Sequence, residues 1–294
     1  MRKGRILARA AERILPKAEA SMVIKGMDVV GDIAVLKIPR GLEGKESALA
    51  KALLEEAPSL KVVFKQTRPV EGDYRLRGLE WLAGEKRSTT AHKEHGCSFK
   101  VDIKKVFFSP RLSFERARVA ELVKNKPADP RRETIINFFA GVGCFSILIA
   151  KARENVKVFS IDLNPDAILF MMENIIVNKV RGRVTAVLSE ARRIVKELFV
   201  NKADRVLMPL PEKAYEFLDA ALMALKPKGG YVHYQGFARG VPEGRALEEV
   251  KEKVSGKLER LGADFEVEGG RIVRSIGPYE YHVALDLRIL PKKR

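Results

Sequence analysis

From residue 133 onward the apolar positions fall into two alternating kinds of run. Short β-branched and aromatic stretches ("TIINFFA", "VKVFSID", "RVTAVLSE", "ADRVLMPL", "GGYVHYQGF") are separated by longer ones with helical spacing ("CFSILIAKAR", "PDAILFMMENIIVNK", "ARRIVKELF", "AYEFLDAALMAL", "ALEEVKEKVSGKLERLG"). This alternation predicts an α/β fold: a parallel sheet with helices on both faces. The chain then ends in "FEVEGGRIVRSIGPYEYHVALDLRIL", two strands whose connection is too short for a parallel crossover. They must pair antiparallel.

The first part of the chain follows another pattern. Residues 23–66 read as two short strands around a turn ("MVIKGMDVVGDIAVLKIP"), a helix ("KESALAKALLEEAP") and a strand ("LKVVFK"), which is a small α+β unit. Residues 69–106 alternate in polarity, with turn glycines, as antiparallel strands do. A helix over "LSFERARVAELVKNK" is broken by "PADPRRE" before the sheet begins. The resulting division is a small region at 1–106 and an α/β domain at 107–294. There is no internal repeat and no low-complexity tract.

Charge narrows the class of partner. Lys and Arg number 55 against 38 Asp and Glu in 294 residues, a formal charge of +17, which favours a polyanion such as nucleic acid. Cys97 and Cys144 are the two cysteines, too few for a disulfide framework or a four-cysteine metal site, and they fit a reducing cytoplasm. His92 and His95 beside Cys97 offer only three ligands, so no metal is expected. The segment "MRKGRILARAAERILPK" is basic and amphipathic but lacks the uninterrupted apolar stretch and cleavage site of a leader. No apolar run is long enough to span a bilayer.

The chemistry is expected at the first strand-to-helix turn of the sheet, Ala140 to Cys144, where ligands of doubly wound folds bind. Gly141 and Gly143 there either let a ligand approach the backbone and the helix N-terminus or simply make the corner. A dinucleotide fingerprint wants a third glycine where this chain has Ser146. Asp162 ends the second strand, placed either to accept hydrogen bonds from ribose hydroxyls or to cap the helix before Pro165. Glu190 ends the third strand, either near an adenine amino group or in solvent. A mainly parallel sheet with a reversed final hairpin is typical of class I methyltransferases, which selects S-adenosylmethionine over a nicotinamide cofactor.

"GDIAVLKIP", "VEGDYRLRGLEWLAGE", "TAHKEHGCSFKVDIKKVFFSPRLSFERARVAELV", "FFAGVGCFSILIAK", "IDLNPDAILFMMENIIVNKV", "ADRVLMPLPEKAYEFLDAAL" and "GGYVHY" together resemble the archaeal and eukaryotic tRNA guanosine-37 N1-methyltransferases and their relatives in wybutosine synthesis. The first block is shorter than in full-length members, which carry a further N-terminal domain gripping the tRNA elbow. The resemblance implies a monomeric, metal-free cytoplasmic enzyme that binds the anticodon stem-loop and moves the methyl of S-adenosylmethionine to N1 of guanosine 37. It implies Glu115 as general base and Arg75 as the cation stabilising charge on O6. Phe107, where the family commonly has Tyr, would stack on adenosyl or pack in the core, and Arg111 would bind the methionine carboxylate or a tRNA phosphate. Phe139, Gly141, Gly143, Asp162, Glu190 and Pro209 complete the donor pocket. Pro209 departs from the Asn of many members and lacks both a side-chain amide and a backbone N–H. The alternatives are methyl or aminocarboxypropyl transfer to the tricyclic wybutosine precursor at the same position, and a non-catalytic tRNA-binding protein.

Overall fold

Strand alternation in the second half of the molecule sorts its side chains onto two chemically unlike sheet faces. The computed structural model describes residues 3–23 and 26–291, and the chain divides into two compact units after Arg111. Met1 and Arg2 of the basic N-terminal segment, and Ile24 and Lys25 of the first predicted strand, lie outside the described residues.

The first unit contains α1 (Lys3–Ile14), α2 (Lys17–Met22), β1 (Met27–Val30), β2 (Ile33–Leu36), α3 (Glu46–Glu56), β3 (Val62–Glu71), β4 (Leu76–Gly84), β5 (Thr89–Glu94) and β6 (Cys97–Asp102). Strands β1 to β4 form one sheet in sequence order, and β5 and β6 form a separate hairpin. Because β2 and β3 run parallel, α3 is a crossover helix between them. Leu7, Ala10 and Ala11 of α1 pack with Leu49, Ala50 and Leu53 of α3 and with Leu36 and Val63 of the sheet. The amphipathic N-terminal segment is therefore a core helix of this unit.

The second unit contains α4 (Ser113–Asn125), β7 (Glu133–Asn137), α5 (Cys144–Ala152), β8 (Val156–Asp162), α6 (Pro165–Val177), β9 (Val184–Leu188), the single turn α7 (Ala191–Ile194), β10 (Arg205–Met208), α8 (Leu218–Ala224), β11 (Gly230–Arg239), α9 (Glu243–Arg260), β12 (Phe265–Gly277) and β13 (Glu280–Ile289). Its seven strands lie in the order β12-β13-β11-β10-β7-β8-β9. The five from β11 to β9 are parallel. β13 lies antiparallel between β11 and β12. This is the reversed hairpin of a class I methyltransferase sheet, with β12 left at the edge.

One face of this sheet is apolar. Ile136, Val206, Val232, Leu285 and Leu287 pack against Leu218 and Ala221 of α8 and Ala246, Val250, Val254 and Leu258 of α9. The other face carries polar groups under α4 and α5. In register, Asn137, Leu207, His233 and Asp286 form one row across four strands, and alternation puts Glu133 and Arg205 on the same side.

Those polar groups are joined. Arg205, 1% exposed, donates from Nε to Glu133 at 2.6 Å and from Nη2 to the Lys126 carbonyl at 2.8 Å. Its Nη1 lies 2.6 Å from His233 Nε2, while His233 Nδ1 lies 2.6 Å from Asp286 Oδ1. A guanidinium has only donors, so His233 Nε2 accepts and the proton sits on Nδ1, donated to Asp286. The ring is thus neutral, in keeping with burial and the nearby Arg205, which lower its pKa. Burial opposes ionisation of Asp286, but His233 and Arg118 outweigh it and hold the carboxyl well below the usual range.

A depressed carboxyl contributes stability above its unfolded pKa, lost as the pH falls through the folded one. Asp286→Asn is expected to cost about 3 kcal/mol at neutral pH, since it removes the carboxylate that pairs with Arg118 Nη1 and accepts from His233, leaving Arg118 with Glu115 alone. The gap between wild type and variant should narrow below about pH 4, as read from urea midpoints across pH; a gap independent of pH would remove Asp286 from the network.

Candidate functional site

The glycine corner is built by its neighbours' polar side chains. Beyond β7, Phe139, Gly141 and Gly143 adopt positive φ values of 58°, 56° and 89°, so the chain turns three times through the left-handed region. Such a corner needs fastening. Ala140 N–H donates to the Ile161 carbonyl at 2.8 Å, Gly141 N–H to Asp162 Oδ2 at 2.6 Å, and Asn174 Nδ2 from α6 to the Val142 carbonyl at 3.2 Å. A Cβ on Gly143 would lie 2.7 Å from Met171 Cγ, so both φ and space require glycine there.

Ser146 stands where a dinucleotide fingerprint has its third glycine, and the structure gives its reason. Its hydroxyl, fully buried, meets Asn137 Nδ2 at 2.9 Å and Ser160 Oγ at 2.7 Å. These bonds fasten α5 to β7 and β8 with polar groups in place of close backbone contact. No side chain caps α5, so its first amides point at the corner with the positive end of the helix dipole.

Asp162 does not cap α6. Asn164 does, accepting from Asp166 N–H and Ala167 N–H with Pro165 in the first turn. Asp162 instead accepts from Gly141 N–H and, at 2.9 Å, from Asn164 N–H. Burial raises its pKa despite those bonds. A carboxylate with both oxygens at the mouth of the corner, beside an uncapped helix start, fits the ribose and carboxylate of the methyl donor.

Glu190 caps α7, its two oxygens accepting from Arg192 N–H at 3.0 Å and Arg193 N–H at 2.7 Å. Its carboxylate is therefore held in place by two amides of its own helix. Phe139 meets Phe217 edge to face at 5.0 Å, and Arg192 covers Phe217 at 4.7 Å, which gives the corner an aromatic side. Pro209 follows the last residue of β10 and is half-buried.

Glu115, in the first turn of α4, is 1% exposed and not the surface acid that a helix start suggests. Arg118 clasps it through Nε at 2.9 Å and Nη2 at 2.7 Å and reaches Asp286 at 2.6 Å through Nη1. The row containing Asp286 also contains Asn137, the last residue of β7. Glu115 is therefore tied to the carboxyl end of the sheet.

The remaining expected residues belong to the first unit. Arg75, φ 54°, closes the β3–β4 hairpin turn, donating N–H to the Gly72 carbonyl at 3.0 Å. Its guanidinium lies 5.0 Å from the Phe107 ring centroid. Arg111 Nε pairs with Asp28 at 2.7 Å, and Arg77 takes the other oxygen at 2.8 Å. Burial works against the Asp28 charge, but these two arginines prevail and lower its pKa. His92 Nδ1 accepts from Gly31 N–H at 3.1 Å, and among the described residues no group of three or more His, Cys, Asp or Glu is placed to hold a metal ion.

The structure thus gathers Phe139, Gly141, Gly143 and Asp162 at one corner and joins Arg75 to Phe107 in the other unit. Asn137, Asn174, Arg118 and Asp286 join them without having been expected from the sequence, and Ser146, noted there only as the absent third glycine, gains a role. Their signal was a polar residue inside an apolar run, as in "TIIN" and "ALDL".

Comparison with known proteins sharpens this. A model of the TRM5/TYW2 methyltransferase domain matches residues 90–262, and one of the TYW2 N-terminal domain matches residues 7–88. The chain is 39% identical over 263 residues to the tRNA (guanine(37)-N(1))-methyltransferase Trm5b of Pyrococcus abyssi, covering 89% of this chain and 74% of that protein. It is 39% identical over 265 residues to the tRNA 4-demethylwyosine(37)-methyltransferase Taw21 of Saccharolobus solfataricus, covering 90% and 94%. The solved P. horikoshii TYW2 in complex with MeSAdo superposes with a TM-score of 0.78 at 29% identity, covering 98% of this chain and all of that one.

Asp162→Ala is expected to weaken S-adenosylmethionine binding by about tenfold or more, as loss of a charged hydrogen-bond acceptor does. Calorimetric titration with the donor checks it, and unchanged affinity would remove Asp162 from the pocket.

Proposed function

This chain belongs to the TRM5/TYW2 methyltransferase family, and from that premise we propose that it methylates the base at position 37 of tRNA, at a carbon of the tricyclic 4-demethylwyosine. S-adenosylmethionine, when bound, supplies an electrophilic methyl group on a sulfonium. The chain's own residues hold and orient. Asp162 would accept from the ribose hydroxyls, the glycine corner would admit the donor against bare backbone, and the start of α5 would hold its carboxylate.

The observation that carries the choice of acceptor is the clasp between Arg118 and Glu115. N1 of guanine bears a proton that must leave as the nitrogen attacks, so N1 methylation needs a free general base. A buried carboxylate already serving a guanidinium must shift or break that pair to take a proton. An electron-rich ring carbon attacks with its π electrons first, and its C–H proton is lost only after the new bond has formed. That order asks less of Glu115. Pro209 supports the same reading, because the family's amide for a guanine edge is missing there.

N1 of guanosine 37, placed first by the sequence resemblance, is the second reading. Glu115 and Arg75 at matching positions favour it, with Arg75 stabilising charge on O6. In both readings the target base leaves its stack to reach the donor.

The two are separated by giving the enzyme methyl-labelled S-adenosylmethionine with either an unmodified tRNA transcript or tRNA carrying 4-demethylwyosine. Label is expected in the tricyclic base alone. Label on guanosine N1 of the transcript would overturn the carbon assignment. With a second donor labelled in its aminocarboxypropyl carbons, label from that donor alone selects the other transfer, and RNA retention without label from either donor selects a binding protein.

Glu115→Gln sharpens the distinction. A positioning role predicts a rate loss of about tenfold, whereas a general base predicts about 10²- to 10⁴-fold. Single-turnover rates on the accepted substrate decide it.

A further inference from the structure

Among the described residues Phe114 is the most exposed large apolar side chain, at 67%, and it directly precedes Glu115, which is 1% exposed. The first turn of α4 sends one side chain inward to Arg118 and its neighbour outward. Arg271 on edge strand β12 covers the outward ring, its guanidinium 5.0 Å from the ring centroid. The register explains the meeting: Arg271 pairs with Ala284, two residues from Asp286 on β13, so it lies on the same sheet face as α4 and one step nearer the carboxyl end. Arg271 and Phe114 thus stand beside the Glu115, Arg118 and Asp286 cluster. As a purely structural contact this one gains little, because most of the ring remains in water.

An exposed aromatic ring backed by a guanidinium is the chemistry on which unpaired nucleic-acid bases stack, and it is tolerant of base identity. A chain of charge +17 draws such a strand electrostatically. Pulling a target base out of its stack leaves the adjoining base without a partner. We propose that Phe114 and Arg271 form a platform on which an unpaired base adjoining tRNA position 37 stacks while the target base is at the site. This rests on the position-37 reading given above.

The test uses the full chain and an anticodon stem-loop RNA, intact or with an abasic nucleotide at position 36 or 38, with affinity read by fluorescence anisotropy. Phe114→Ala is expected to weaken binding of the intact RNA about tenfold, as loss of one base–aromatic stack does, while Phe114→Trp retains it and donor affinity is unchanged in both. Arg271→Gln should lose a smaller factor. One of the two abasic RNAs should bind wild type as weakly as the intact RNA binds Phe114→Ala, and should show no further loss with that variant. The proposal is overturned if Phe114→Ala binds intact RNA like wild type, or if its loss is the same on both abasic RNAs as on the intact one. If wild type binds the stem-loop no better than a plain duplex, the position-37 reading itself fails and takes this platform with it.

Discussion

One buried chain of alternating charges organises the second unit. It runs from Glu115 through Arg118, Asp286, neutral His233, Arg205 and Glu133 to Arg153, each link at 2.6 to 2.9 Å. Charges in such surroundings are tolerated only when every member is paired, because a single unpaired one carries the full desolvation cost. The chain is therefore assembled as a whole or not at all. Its ends lie on α4 and just past the end of α5, and its middle crosses β13, β11, β10 and β7, so completing it also sets where α4 rests on the sheet. The Lys126 carbonyl at the far end of α4 bonds to the same Arg205. Both ends of that helix are thereby fixed, and with them Phe114 and Glu115.

The glycine corner uses the same device with neutral groups. Asn137 Nδ2 and the Ser160 hydroxyl both donate to the Ser146 hydroxyl beneath α5, while Asp162 and Asn174 fasten the turn from β8 and α6. Three left-handed residues within five positions would otherwise leave a loose loop. Rigidity matters here because methyl transfer depends on holding donor and acceptor in line more than on any single reactive side chain. The carbon and nitrogen readings differ mainly in what they require of Glu115. A nitrogen acceptor asks for a base that is free, and a carbon acceptor asks for a wall that is fixed.

Much of the architecture was legible in the linear pattern. Alternating strand-length and helix-length runs after residue 133, and a last connection too short to cross over, led to the parallel sheet with its reversed hairpin. They did so because side-chain periodicity and loop length are local properties. The acid ending β8 and the two glycines were legible for the same reason: each sits at a fixed offset from an element boundary. Glu190 was less so. A carboxylate after a strand and before a helix reads alike whether it meets a ligand or, as here, two amides of its own helix.

What the sequence by itself determined, then, was the order of the elements, the place of the corner and the kind of residue at its mouth. Only the tertiary structure decided that Glu115 is buried and clasped, that Ser146 has a purpose, and that Phe114 lies under an arginine from the far edge strand. Each of these depends on partners distant along the chain, such as Arg118 meeting Asp286 across 168 positions. Such a meeting is set by strand register and helix docking, and no local pattern of apolar and polar residues encodes it.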